Sequence, residues 1–158
     1  MGSRWASLAG VWLAGLALGP HAAAAQSVPE LGVIALVTAS DPALVAAGAY
    51  GGLRTSLRTR VSAAGLVGVS GGEAAWRGEL LAHFLLSPAR RRGAGAYGAG
   101  GIALVGGPVD RSYMVLTLGL EGRPGAASGW FVEAGLGGGA RLAAGYRWRR
   151  MPAGWQGF

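Results

Sequence analysis

Downstream of residue 25 the chain holds one histidine, His83, so any imidazole acid–base chemistry there rests on that residue. Ser62 and Ser87 are the serines a fold could bring beside it, as a pair able to activate a hydroxyl nucleophile. Gly68-Val69-Ser70-Gly71-Gly72 also reads as G-x-S-x-G. That motif presents a nucleophile only on a strand-to-helix turn, with Asp or Glu and then His downstream. No helical periodicity follows Ser70, and His83 sits inside an alternating segment, so the match is read as chance in a glycine-rich chain. Gly93-Ala94-Gly95-Ala96-Tyr97-Gly98 reads as G-x-G-x-x-G. A dinucleotide site needs a strand before it, a helix after it and an acidic residue ~20 positions on. Here Arg90, Arg91 and Arg92 precede it and more glycine follows, so a small-residue strand is expected. With no cysteine and one histidine, neither thiolate nor multi-histidine metal sites can form. No catalytic residue, metal or cofactor is expected, and His83 is read as structural.

The remaining chemistry is ionic. The chain has a formal charge of +7, and all its basic side chains are arginine. Such a charge suits nucleic acid or an anionic membrane surface, and position must decide between them. Arg58, Arg60, Arg77, Arg123, Arg141 and Arg147 fall with Glu79, His83, Glu121 and Glu133 on the less apolar parity of alternating segments. These ten residues are the expected charge network.

The elements that must position them are strands. In the last segment Ala140, Leu142, Ala144, Tyr146 and Trp148 share one face, and Arg141, Ala143, Gly145, Arg147 and Arg149 the other. That is the period of two that defines a strand. Similar alternation begins at Leu57, Trp76, Met114 and Trp130. Seven turn signals rich in Gly, Pro, Ser and Asp separate eight segments. The expected strands are 29–39, 43–54, 57–70, 73–87, 94–106, 111–123, 128–137 and 139–149. The first is apolar on both sides, and the second and fifth are rich in Ala and Gly, so their faces are not assigned.

Segments of ~10 or more residues match tilted strands crossing a bilayer; soluble strands centre on five or six. An eight-stranded barrel has room inside for side chains, and small residues leave space for arginine stems. Trp130 opens the seventh segment and Trp148 closes the eighth, so antiparallel pairing puts them at one level. With Trp76, Tyr113 and Tyr146 they form the expected aromatic girdle. The longest uncharged run after the start of the chain, 93–109, holds seven glycines and is too short for a spanning helix.

Residues 1–25 read as an address. Arg4 precedes an apolar stretch at 8–18, and Ala23 and Ala25 give an A-x-A end before Gln26. This is the pattern of a cleaved secretory signal. The expected organisation is a signal at 1–25, a barrel at 26–150 and a tail at 151–158. Export also argues against a nucleic-acid partner.

The pattern, the strand count and the terminal strand from Ala140 to Trp148 resemble the small bacterial outer-membrane β-barrel proteins, the eight-stranded OmpA-like and OmpX-like class. The resemblance covers nearly all of 26–149. It implies an all-β, eight-stranded, antiparallel up-and-down transmembrane barrel in the outer membrane, with termini in the periplasm. It also implies outer-membrane lipids and the barrel-assembly machinery as partners, and a monomer. Two features depart from the family. All connections are short, which removes support for loop-borne adhesion, and the chain continues past Trp148 through Pro152 and Gly154. The leading expectation is a non-enzymatic barrel with an Arg/Glu-paired lumen. The alternatives are a soluble secreted lipid-binding barrel with its apolar face inward, and a lipid-modifying barrel enzyme.

Overall fold

A computed structural model describes residues 27–108 and 110–151. The expected signal at 1–25 and most of the expected tail lie outside the described residues. Eight strands follow one another: β1 (Val28–Ala39), β2 (Leu44–Arg54), β3 (Thr59–Ser70), β4 (Glu73–Leu85), β5 (Ala94–Gly106), β6 (Arg111–Gly122), β7 (Ser128–Leu136) and β8 (Ala140–Arg149). Each expected boundary lies within two residues of the observed one. There is no helix among the described residues.

Each strand pairs antiparallel with its sequence neighbour, and β1 pairs with β8 to close the barrel. The closing seam runs from Glu30 opposite Arg149 to Ala39 opposite Ala140. Closure leaves no row of unpaired backbone groups at a sheet edge. Antiparallel order places the starts of β1, β3, β5 and β7 at one end, together with the finish of β8. This is the terminal end; the other is the far end.

The turns follow local chemistry. Gly71 and Gly72 join β3 to β4 with φ of 61° and 86°, the left-handed pair that a two-residue hairpin demands. The G-x-S-x-G match is therefore a hairpin and no nucleophile elbow. Its Ser70 hydroxyl donates to the Pro42 carbonyl at 3.4 Å. The G-x-G-x-x-G match begins in a turn at Gly93 and continues as the start of β5.

Burial alternates along the strands, and it is inverted relative to a soluble barrel. Arg54, Arg60, Arg77, Arg141, Arg147 and Glu121 are among the largest fully buried side chains. Every charged strand residue has the inward parity, and none shares the parity of the exposed apolar side chains. The outward positions carry Leu31, Val33, Val67, Leu80, Ile102, Met114, Leu116, Leu118, Leu142 and similar residues, all about half exposed or more. The alternative with an apolar cavity fails on this point, because the strand tryptophans and most strand Leu and Val face outward while the arginines face inward. Inside, Ile34, Leu36, Leu44, Ala46, Leu66 and Phe131 form an apolar cluster beside the ionic groups.

Candidate functional site: an ionic lumen

The buried charges form two groups joined by a tyrosine. Near the terminal end, Glu30 and Glu121 meet Arg54, Arg60, Arg147 and Arg149. Arg54 Nε donates to Glu30 at 2.7 Å. Glu121 Oε2 accepts from Arg60 at 3.0 Å, Arg147 at 2.9 Å and Arg149 at 3.0 Å. Deeper in, Glu79 accepts from Arg77 Nε at 2.7 Å and from two nitrogens of Arg141 at 3.0 and 2.8 Å. The Arg141 fork also donates to Glu133 at 2.8 Å. Tyr97 links the groups: its hydroxyl donates to Glu133 at 2.8 Å and accepts from Arg147 at 3.3 Å.

The strands impose this convergence. Glu30 on β1, Arg54 on β2 and Arg60 on β3 stand at the terminal end because Arg54 pairs across the ladder with Arg60, and Glu30 with Gly52. Glycine opposite a long side chain makes room for it. Tyr97 lies over Gly119, its cross-strand partner, and Phe131 lies over Gly145, its own. A Cβ at either glycine would collide with the ring.

The deeper group balances two carboxylates against two guanidinia, whereas the terminal-end group sets two against four. Backbone carbonyls and ring faces take up the difference. Arg54 donates to the Pro124 carbonyl at 2.9 Å, and Arg149 to the Ala126 carbonyl at 3.2 Å. The β6–β7 turn therefore lies against the lumen with its carbonyls facing arginine. The Arg147 guanidinium stands 4.1 Å from the Phe131 ring centroid and 5.1 Å from that of Tyr50. Arg60 lies 5.0 Å from the Tyr97 centroid. Such contacts favour a desolvated cation.

Eight of the ten expected network residues point into this lumen: Arg60, Arg77, Glu79, His83, Glu121, Glu133, Arg141 and Arg147. Arg58 and Arg123 do not. Arg58 precedes β3 in an exposed turn, so alternation had not begun at that residue. Arg123 follows β6, with φ of 49° reversing the chain, and its side chain is exposed. Its carbonyl, not its guanidinium, faces Arg149. Glu30, Arg54, Tyr97 and Arg149 belong to the network without having been expected. Glu30, Arg54 and Tyr97 lie on the three strands whose faces composition leaves open. Arg149 shares the parity of Arg141 and Arg147, which was the available signal.

Four of the five expected girdle aromatics face outward. Trp130, Tyr146 and Trp148 cluster at the terminal end, with Trp130 opposite Tyr146 in the ladder. Phe84 joins them at the end of β4, and Trp76 stands at the far end. Tyr113 is the exception. It has the inward parity, is half-buried, and packs where a side chain at Gly138 would collide with it.

Ser62 does reach His83, with Oγ 2.7 Å from Nε2. The third partner decides what the pair can do. His83 Nδ1 lies 3.1 Å from Arg60 Nη2. A guanidinium only donates, so Nδ1 accepts and the ring proton sits on Nε2, which donates to Ser62. An imidazole so held has no lone pair for the serine proton, and both side chains are buried. Among the described residues, no group of three His, Asp or Glu is placed to hold a metal.

The chain matches no known family model and no curated protein. Its functional reading rests on this geometry.

Proposed function

We propose that the protein is a non-enzymatic, membrane-spanning barrel of the bacterial outer membrane, closed inside by its Arg/Glu network and structural in role. The supporting observation is the outer wall, which carries no charge on any strand and, with the adjoining Leu86, exposes twenty-three large hydrophobic side chains among the described residues. Monomeric soluble proteins rarely expose apolar patches beyond a few hundred Å². A bilayer is the surrounding that turns this surface from a liability into a fit, and closed barrels are its β solution. At ~3.3 Å per residue and a tilt of ~40°, the stretch of β4 from Trp76 to Phe84 spans about 20 Å along the axis. That is close to the ~25 Å apolar band between aromatic girdles of transmembrane barrels.

The non-enzymatic part of the reading is supported by the held tautomer of His83. The test is membrane fractionation followed by electrophoresis of unheated and boiled detergent samples. The expected result is an outer-membrane band whose mobility shifts only on boiling. Recovery in a soluble fraction with no heat shift would overturn the reading. For the enzymatic alternative, His83→Ala should leave the acyl composition of lipid A and phospholipids unchanged; an altered composition would reinstate it.

A further inference from the structure

The surface charges that remain after the lumen is filled are segregated by end. At the terminal end Arg58, Arg90, Arg91, Arg92, Arg123 and Arg150 are all exposed. No acidic side chain is exposed there among the described residues, since Glu30 and Glu121 are buried inside. At the far end the exposed charges are Asp41, Glu73, Asp110 and Arg111. The barrel thus carries six cations around one mouth and a net negative set around the other. The six come from every turn at the terminal end and from the residue after β8, so they encircle the mouth. Just inside this collar lie Phe84, Trp130, Tyr146 and Trp148, exposed or half-exposed on the outer wall.

We propose that this arginine collar is a binding surface for anionic phospholipid headgroups, drawing them selectively around the terminal end of the barrel. The inference rests on the membrane-spanning reading above. The chemistry is that of a guanidinium and a phosphate diester: a planar fork of donors meets charged oxygens in a hydrogen-bonded ion pair. Placement supplies the second half of the argument. Aromatic side chains of a girdle sit at headgroup level, so arginines one turn beyond them stand among the phosphates. The far end has one arginine against three acidic side chains and offers no such collar.

Tryptophan fluorescence reads both ends separately. Single-tryptophan variants retaining Trp130 or Trp76 are folded into bilayers containing brominated phosphatidylglycerol or brominated phosphatidylcholine at equal mole fraction. Quenching of Trp130 should show a preference for phosphatidylglycerol of roughly fivefold, the weight of one basic residue at an anionic surface. The preference should fall in 1 M salt, where the Debye length is ~3 Å. Trp76 should show none. The combined variant Arg58→Gln, Arg90→Gln, Arg91→Gln, Arg92→Gln, Arg123→Gln and Arg150→Gln should keep the quenching and lose the preference. Equal quenching of Trp130 by both lipids, or a preference that survives these substitutions, would overturn the collar while leaving the barrel in its bilayer. No quenching by either lipid would instead overturn the membrane reading on which the collar stands.

Discussion

The lumen places unequal weight on its carboxylates. Glu121 accepts from three arginines at 3.0 Å or less and has Arg54 at 3.5 Å. Replacing it with Gln keeps the volume but leaves four guanidinia to share Glu30. Removing one partner of a buried ion pair costs about 3–5 kcal/mol, because the other charge stays buried and uncompensated. Glu121→Gln should lower unfolding stability by that amount, measured by urea titration of the barrel folded into vesicles. Arg58→Ala should change it by less than about 0.5 kcal/mol, as an exposed turn substitution away from special contacts does. Equal losses in the two variants would contradict the placement of Arg58 outside the network. Within the lumen, Arg77 Nη2, Arg60 Nε and Arg147 Nε have no hydrogen-bond partner among the described residues. The Arg147 guanidinium compensates through aromatic faces.

Among the strands, aromatic side chains and glycines are matched across the ladder. Tyr97 covers Gly119 and Phe131 covers Gly145 inside the barrel, while Trp76 covers Gly106 on the outer wall. Each pair faces across neighbouring strands. Glycine weakens a strand by leaving nothing to pack, and a ring laid over it restores the contact. Gly119→Val should therefore push Tyr97 away from Glu133 and cost about 1–3 kcal/mol, the usual penalty of overpacking. Gly65 is the control, because a Cβ there meets nothing within 4 Å. Gly65→Ala should be neutral or stabilising by up to about 1 kcal/mol, since it removes only backbone freedom. The same urea titration compares them, and a larger loss at Gly65 than at Gly119 would refute the pairing argument.

For the whole molecule, the distribution of charge predicts transport behaviour. An eight-stranded barrel has an interior just wide enough for side chains. Here Arg54, Arg60, Arg77, Arg141, Arg147, Tyr97 and Phe131 occupy it. Planar-bilayer recordings of the purified barrel should show no stepwise conductance. Regular steps from the folded protein would mean that the network opens a path, and the closed-lumen reading would be withdrawn. The charge separation between the two ends belongs to this scale as well, since no single strand contains it.

The sequence alone determined the eight strands, their boundaries to within two residues and the inward parity of eight network residues. Its means was the strict period of two, which carries both element type and face. Parity says nothing where both faces are apolar or small, so Glu30, Arg54 and Tyr97 were not legible on β1, β2 and β5. It also misleads at strand ends: Arg58 and Arg123 have the parity of the lumen but stand where the backbone has left the ladder. Tyr113, paired with Ala103 in the ladder, keeps the inward parity of β6 and lines the far mouth. Only the closed register decided which charges meet, because Glu30 reaches Arg149 across a seam between the first and last strands. Such contacts depend on closure, and closure is a property of all eight strands together.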